Sequence, residues 1–213
     1  MSSHSVISNA FNENTSNLWT SQVCSDIVEF VKKIIEIGKE DELTAEYRLG
    51  SRAIDLDRFG LDWLTNALFN IIIRPLSKHL FRDIEAKGDL DWRQGYVATY
   101  DGSKEEHLVS HTDDSEVTLN LCLGEKFSGG ELIFNGLRGE EQKHPLGRFS
   151  PRIGRAVLHA GRHLHAVNKV KEGNRFSLII WSRSWNGIRE NTCPCCWLNR
   201  RKDNLCICGK RWN

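Results

Sequence analysis

The stretch EVTLNLCLGEKFSGGELIF, from Glu116 to Phe134, contains two short apolar segments separated by a glycine-containing turn. In the first segment, one set of alternating positions is aliphatic (Val117, Leu119, Leu121 and Leu123) and the other is smaller or more polar (Thr118, Asn120 and Cys122). Because successive side chains of a strand point to opposite faces, this alternation predicts a β-strand whose aliphatic face covers a core.

Further short segments of the same kind occur on both sides of this stretch. They read GYVATY, ELIF, RAVLHA, HAVNKV and RFSLIIWS. Glycine- or proline-containing turns separate them, namely SGG, NGLRGEE, HPLG, SPRIG and KEGN. Many short strands with such turns are typical of a sandwich or barrel, including the jelly roll.

The chain before residue 92 has helical periodicity instead. Apolar residues recur every three or four positions from Cys24 to Ile37, and Gly38 is the expected C-terminal cap of this helix. A second helix is predicted to start near Asp57, and Pro75 should end or kink it. Helices followed by strands predict an α+β fold, in which N-terminal helices pack outside a double-stranded β-helix, or jelly-roll, core.

These patterns divide the 213 residues into four predicted regions. They are a mobile N-terminal tail at 1–17, a helical supporting region at 18–91, a jelly-roll domain at 92–187, and a cysteine-rich basic tail at 188–213.

Composition restricts the class of protein. Hydrophobic residues make up 39% of the chain and charged residues 27%, which is typical of a globular protein. The net charge of +1 gives no electrostatic reason to expect a nucleic-acid partner. No signal-peptide pattern or membrane-spanning stretch is apparent, so an intracellular location, cytoplasmic or nuclear, is predicted. Composition leaves the oligomeric state open.

The segment before the quoted strand contains His111-Thr112-Asp113. Residues two apart on an extended segment point to the same side, so this imidazole and carboxylate could bind one cation. The same residues also fit a solvated turn, in which Asp114 and Ser115 are ordinary turn residues.

A third ligand would have to come from LHAGRHLHAV, from Leu158 to Val167, where His159, His163 and His165 are all candidates. Two histidines and one carboxylate leave coordination positions open, which is typical of non-haem Fe(II) oxygenases. A structural zinc site usually closes its four-coordinate shell instead.

Arg175 lies at the start of the strand RFSLIIWS, and alternation places it on one face with Ser177, Ile179 and Trp181. An arginine facing the inside of a β-structure is costly unless an anion pairs with it, and its planar fork suits a carboxylate. The alternative is an arginine in water at the mouth of a strand.

Taken in order, these features resemble the Fe(II)- and 2-oxoglutarate-dependent dioxygenases, in particular the prolyl 4-hydroxylase and lysyl hydroxylase branch. The resemblance covers Gly95 to about Trp185. The family pattern is HxD, a GGxLxF-like segment, a distal histidine, a Lys or Arg ten residues later, and a strand that carries a tryptophan. Here it corresponds to His111 and Asp113, Gly129 to Phe134, His165, Arg175 and Trp181. The spacing selects His165 over His163, and His159 corresponds to a histidine that is not a ligand in lysyl hydroxylases.

The resemblance implies that His111, Asp113 and His165 bind Fe(II). It also implies that Arg175 and Tyr100 bind the far carboxylate of the cosubstrate 2-oxoglutarate, and that ascorbate keeps the iron reduced. The expected reaction hydroxylates a C–H bond of a protein side chain or a small molecule and forms succinate and CO2. Only the resemblance to the prolyl 4-hydroxylase and lysyl hydroxylase branch favours a prolyl or lysyl side chain as the substrate. Thr118 and Asn120 could line the same cavity or form cross-strand hydrogen bonds.

Five of the seven cysteines lie in the last 21 residues, from Cys193 onward. Cys193 and Cys196 form one thiol pair, Cys206 and Cys208 form another, and together they could bind Zn(II). The alternative is a reduced tail without a metal.

Two other functions fit parts of the sequence. One is a non-catalytic jelly-roll module whose histidines hold a structural metal, against which Asp113 and Arg175 argue. The other is an interaction protein whose function lies in a zinc-binding cysteine tail.

Overall fold

The computed structural model describes residues 18–40, 53–85, 88–137 and 147–191. The predicted tail at 1–17, residues 138–141 of the predicted turn NGLRGEE, residues 144–146 of HPLG, and all five cysteines from Cys193 onward lie outside these residues. The first three residues of NGLRGEE belong to a strand that ends at Leu137.

The first helix, α1, spans Ser21–Glu40 and is longer than the sequence predicted. Its buried stripe comprises Cys24, Ile27, Val28, Val31 and Ile34, and the helix packs against strand β4 (Val117–Gly124). The prediction that Gly38 caps the helix is wrong, because the helix continues through it to Glu40. A glycine inside a helix costs only about 1 kcal/mol relative to alanine, so a packed helix can contain one.

The second helical region is divided into short pieces. They are a 3₁₀ turn at Asp57–Phe59, α2 at Asp62–Leu68, a π-helical turn at Phe69–Ile73, α3 at Arg74–Leu80 and α4 at Arg82–Glu85. Pro75 does not end the helix, because it lies in the first turn of α3, directly after the π-helical turn. In the π-helical turn the Arg74 N–H donates to the Phe69 carbonyl, five residues back. Pro75, which has no N–H to donate, follows directly after this turn. None of the helices within the described ranges is long and apolar enough to cross a membrane.

The described strands form two antiparallel sheets. The larger sheet has the order β1-β2-β10-β4-β8, with β5 also paired to β10, and the smaller has the order β3-β9-β6-β7. Besides β4, the strands are β1 at Ala53–Asp55, β2 at Trp92–Asp101, β3 at Leu108–His111, β5 at Phe127–Gly129, β6 at Leu132–Leu137, β7 at Gly147–Phe149, β8 at Ala156–Ala160, β9 at His163–Val167 and β10 at Val170–Arg183. A last short helix, α5, spans Ile188–Asn191.

Two local predictions fail in the sheets. The region predicted to be only helical contributes β1, which pairs with Tyr96–Ala98 of β2, and three residues are too few to show an alternation. The segment KEGN is not a turn but part of β10, where the register with β5 shifts between Val170 and Glu172. Gly173 has a φ of 67°, so glycine here permits a strand irregularity instead of a chain reversal.

The larger sheet is buried on both faces. Its outer face packs against the helices through an apolar cluster that includes Leu119, Leu121, Leu178 and Ile180. Its inner face meets the smaller sheet through a second cluster, which includes Tyr100, Leu132, Phe134, Val167 and Ile179. The predicted α+β architecture, with helices outside a two-sheet β core, is confirmed.

Candidate metal and anion site

His111, Asp113 and His165 converge between the two sheets. His111 is the last residue of β3 and pairs in register with His165 of β9, while Asp113 lies two residues beyond His111. One potential ligand atom from each of the three residues lies within 4.8 Å of the others. Asp113 Oδ1 is 3.5 Å from His111 Nε2 and 3.7 Å from His165 Nε2. Of the three candidate histidines, His165 is the one that the structure groups with His111 and Asp113.

Backbone hydrogen bonds orient both imidazoles. His111 Nδ1 lies 2.9 Å from the Val109 carbonyl oxygen, and His165 Nδ1 lies 2.9 Å from that of His163. A carbonyl oxygen only accepts, so each Nδ1 carries a hydrogen and the Nε2 of each ring is the atom left for other contacts. Both Nε2 atoms lie towards Asp113, and a backbone acceptor on Nδ1 is the contact that orients metal-binding histidines.

The charges at the site also suit a cation. Burial alone would raise the pKa of Asp113, but the hydrogen bond with His111 and electrostatic interactions with the His165 and His159 rings outweigh it and lower the pKa to about 2. Burial would also lower the pKa of His111, yet its hydrogen bond to Asp113 raises this pKa overall. Burial dominates at His165 and lowers its pKa, so this ring stays neutral.

The second carboxylate oxygen of Asp113 is occupied by protein. Thr118 Oγ1 donates to Asp113 Oδ2 over 2.7 Å, and Ser115 Oγ lies 2.6 Å from Thr118 Oγ1. The backbone N–H of Asp113 donates to the Gly161 carbonyl over 2.9 Å. Oδ1 thus remains for the space shared with the histidines, and Thr118 orients the carboxylate as well as lining the cavity.

Arg175 is completely buried, with 0% of its surface exposed, which excludes the interpretation that it lies in water at a strand mouth. Its Nη1 donates to the Gly130 carbonyl over 2.9 Å, whereas Nε and Nη2 have no hydrogen-bond partner among the described residues. Its Cζ lies 5.4 Å from the ring centroid of Tyr100, and burial lowers the pKa of the guanidinium. A buried cation with unused donors is energetically costly, and an anionic ligand would remove that cost.

A cavity of about 160 Å³ joins the Asp113 region to Tyr100. Polar groups in its wall come from His111, Asp113, His165, Thr118, Asn120, Tyr96 and Tyr100. Apolar groups come from Ala53, Ala98, Leu108, Leu132, Val167 and Ile179. Convergent polar groups combined with apolar surface are typical of a small-molecule site.

Sequence reasoning assigned no role to three neighbours of this site. Ser177 Oγ and Trp181 Nε1 are buried without a hydrogen-bond partner in the described structure, on the same face of β10 as Arg175. Tyr96 lines the cavity and packs edge-on against Trp181, with ring centroids 5.4 Å apart. The alternation of β10 had already placed Ser177 and Trp181 on this face, but their missing partners are visible only in three dimensions.

His159 is buried behind the three converging residues. Its Nε2 lies 3.8 Å from Asp113 Oδ2, and its ring centroid lies 4.7 Å from that of His165. Burial lowers the pKa of His159 to about 3, so the ring is neutral. It is not one of the three grouped residues, and its expected role as a bystander stays a prediction.

No protein-family model matches the chain. The Arabidopsis thaliana protein named "2-oxoglutarate and iron-dependent oxygenase domain-containing protein CP2" is 41% identical over 135 residues, which are 61% of this chain and 34% of that protein. The Xenopus tropicalis "2-oxoglutarate and iron-dependent oxygenase domain-containing protein 2" is 33% identical over 177 residues, or 80% of this chain and 50% of that protein. The chain therefore spans between a third and a half of the length of these two relatives.

A solved structure reported for prolyl 4-hydroxylases from Phytophthora capsici has a TM-score of 0.51 and 19% sequence identity. The likeness covers 80% of this chain and 60% of that one, and it confirms the jelly-roll fold. The chain is therefore a homologue of proteins named 2-oxoglutarate and iron-dependent oxygenase domain-containing proteins, in agreement with the family that its sequence resembles.

Proposed function

We propose that this protein is an Fe(II)- and 2-oxoglutarate-dependent dioxygenase that hydroxylates a C–H bond of its substrate and forms succinate and CO2. One observation carries the proposal: His111, Asp113 and His165 converge on a cavity whose wall also contains Tyr100, directly beside the buried and incompletely paired Arg175. A metal site with an anion site beside it is what a 2-oxo acid needs to bind at both ends.

The donor set fits Fe(II). Two imidazoles and one carboxylate make the two-histidine, one-carboxylate set of non-haem iron oxygenases, which leaves positions for other ligands. We assign the three metal contacts to His111 Nε2, Asp113 Oδ1 and His165 Nε2. When bound, Fe(II) supplies the redox chemistry by which dioxygen oxidises both 2-oxoglutarate and the substrate.

The chain's own residues would position the cosubstrate. We assign the far carboxylate of 2-oxoglutarate to Arg175, whose Nε and Nη2 have no partner in the described structure, and to Tyr100 beside it. Ser177, two residues along the same face, has an unpaired buried hydroxyl and is a third candidate donor. A charge-assisted bond from a planar guanidinium would both bind and orient a carboxylate.

The remaining walls would control water and geometry. Leu132, Val167 and Ile179 provide apolar surface around the cavity, which limits water near the reacting groups. Thr118 occupies Asp113 Oδ2 and so directs Oδ1 towards the two histidines. These contributions are positional: the protein would hold ligands, orient the cosubstrate and exclude solvent.

A prolyl or lysyl side chain is the first substrate class to test, because the branch resembled acts on such residues. Ascorbate as a reductant and Zn(II) at Cys193, Cys196, Cys206 and Cys208 stay predictions from the resemblance and the spacing. The intracellular location also stays a prediction.

The test is turnover of labelled 2-oxoglutarate by iron-reconstituted protein, together with Mn(II) binding measured by calorimetry. We expect wild-type protein to release CO2 and succinate, and to lose both turnover and Mn(II) binding in His111→Ala and Asp113→Ala. Asp89→Ala, which removes an exposed carboxylate that pairs with Lys78 at 3.4 Å, is the control. Undiminished Mn(II) binding by both site variants would refute the ligand assignment. Tight metal binding without 2-oxoglutarate binding would favour the non-catalytic metal module.

A further inference from the structure

Asp114, which the sequence predicts to be a turn residue, lies in the bend before β4 and also makes long-range ionic contacts. Its carboxylate accepts hydrogen bonds from Arg183 Nη2 over 3.0 Å and from Arg189 Nη1 over 2.8 Å. Its backbone carbonyl also accepts from Arg183 Nε over 2.7 Å. Two arginines from the C-terminal part of the described chain thus hold the residue that directly follows Asp113.

Three indole rings fix the position of Arg183. Its Cζ lies 4.3 Å from the ring centroid of Trp92, 5.5 Å from that of Trp181 and 5.8 Å from that of Trp185. Such cation–π contacts restrict a guanidinium that would otherwise sample many rotamers. Arg183 therefore presents a preorganised fork to the carbonyl and the carboxylate of Asp114.

Arg189 of α5 extends the network to the start of β4. Its Nε lies 2.9 Å and 3.1 Å from the two carboxylate oxygens of Glu116, whose Oε2 also accepts from the Ser184 N–H over 2.8 Å. Glu116 is 0% exposed, and its carbonyl accepts from the Gly161 N–H over 3.0 Å. The carbonyl of the same Gly161 accepts from the backbone N–H of Asp113, so Gly161 joins the network to the backbone of Asp113.

Stability alone gives a poor reason for this arrangement. Replacing a buried ion pair such as Glu116–Arg189 by packed apolar residues is often neutral or stabilising, because desolvating two charges offsets their attraction. Ion pairs of an exposed carboxylate such as Asp114 contribute little to stability. What the ionic contacts do provide is a fixed position for the backbone on the C-terminal side of Asp113. Metal sites depend on such support, and loss of an outer-shell partner typically weakens metal affinity by about 10- to 100-fold.

We propose that Asp114, Glu116, Arg183 and Arg189 form a clamp that positions Asp113 for metal binding. The clamp residues are positioning residues, since they act through Asp113 and contribute no atom to the three-residue metal set. This inference rests on the proposed function, because it assumes that Asp113 is a metal ligand. It adds a dependence of the metal site on α5, which lies directly before the cysteine-rich segment.

The test measures Co(II) affinity and the Co(II) absorption spectrum of the full chain carrying Asp114→Asn. The side chain of Asp114 is 56% exposed, so this change should leave the core folded while removing the charge that both arginines contact. We expect about 10-fold weaker Co(II) binding and a changed spectrum, with the melting temperature nearly unchanged. The control is Glu29→Gln, which removes a carboxylate from an exposed ion pair with Lys33 on α1.

Arg189→Gln provides a second variant, and its effect on Co(II) affinity should equal or exceed that of Asp114→Asn. Equal Co(II) affinity and identical spectra in wild-type protein and Asp114→Asn would overturn the clamp while leaving the proposed metal site intact. Wild-type protein that binds no Co(II) would overturn the proposed function itself, and the clamp with it. If both variants lower the melting temperature but leave the Co(II) affinity unchanged, the network stabilises the fold and does not position Asp113, which would overturn the proposal.

Discussion

The outer face of β10 packs Phe176, Leu178 and Ile180 against the helices, whereas its inner face carries Arg175 and Ser177. Both faces are buried, so exposure does not distinguish them. On the outer face, apolar contact accounts for all three of these side chains. On the inner face, polar atoms lack partners within the described structure, a cost that folding alone does not repay. Apolar packing on the outer face stabilises the fold, whereas the unpaired polar atoms of Arg175 and Ser177 on the inner face indicate a ligand-binding site.

The largest expected effect is on the outer face. Leu178→Ala should lower the free energy of unfolding by about 2–5 kcal/mol, because it removes a completely buried side chain and leaves a cavity. Affinity for Mn(II) and 2-oxoglutarate should stay unchanged below the melting transition. Denaturant unfolding and calorimetry measure the two quantities, and Ile71→Ala, at a site 70% exposed, is the control. Loss of ligand affinity in a folded Leu178→Ala protein would contradict the division between the faces.

On the inner face, Arg175→Met should weaken 2-oxoglutarate binding without lowering the stability of the protein. A hydrogen bond to a charged partner contributes about 1.5–3 kcal/mol, so the KM for 2-oxoglutarate should rise by roughly 10- to 150-fold. The free energy of unfolding without ligand should not fall, because the change removes a buried cation with unused donors. In wild-type protein loaded with Mn(II), 2-oxoglutarate at 100 times its Kd should add about 2.7 kcal/mol of stability. An unchanged KM would show that the anion site lies elsewhere.

A smaller effect is expected at Gly130, which lies against Arg175 with a φ of 69°. A methyl group there would lie 3.2 Å from Arg175 Cδ and 3.1 Å from Val170 Cγ2. Gly130→Ala should lower the free energy of unfolding by about 1–2 kcal/mol through the left-handed backbone and should also raise the KM for 2-oxoglutarate. Gly60→Ala is a matched control, since its φ is 77° and no atom lies within 4 Å of the added methyl group. Equal KM values in both variants would mean that Gly130 matters only for backbone conformation.

The smallest effect should come from Tyr100→Phe. The loss of one neutral hydroxyl contact should weaken 2-oxoglutarate binding by about 0.5–1.5 kcal/mol, or two- to tenfold. The ring that packs under Arg175 is retained, so stability should change little. Isothermal calorimetry with Mn(II)-loaded protein measures the difference. An effect as large as that of Arg175→Met would assign the main anion contact to the tyrosine.

Sequence reasoning worked best where local pattern and spacing carry the information. The alternation of β4 and β10 predicted which side chains share a face, because both strands are long enough to show a period of two. The family resemblance, in which an arginine or lysine follows the distal histidine by ten residues, selected His165 from three histidines, and the structure groups that residue with His111 and Asp113. The catalytic roles of these residues stay predictions until they are measured.

Other features had no local signal. The strand Ala53–Asp55 was missed because three residues are too short for periodicity. KEGN has the composition of a turn, yet pairing with β5 keeps it within a strand. The contacts of Asp114 with Arg183 and Arg189 join residues 69 and 75 positions apart, so only the folded chain brings them together.

The register between β3 and β9 has a mechanical consequence. β3 is a four-residue strand at the edge of the smaller sheet, and it pairs with β9 only through Leu108 and His111, across an irregularity. A cation bound by both His111 and His165 would link β3 to β9. Part of the free energy of metal binding would then stabilise β3 against local unfolding. Amide hydrogen exchange in β3 should therefore slow on metal loading far more than exchange in β8, which makes the edge strand a reporter of whether the site is filled.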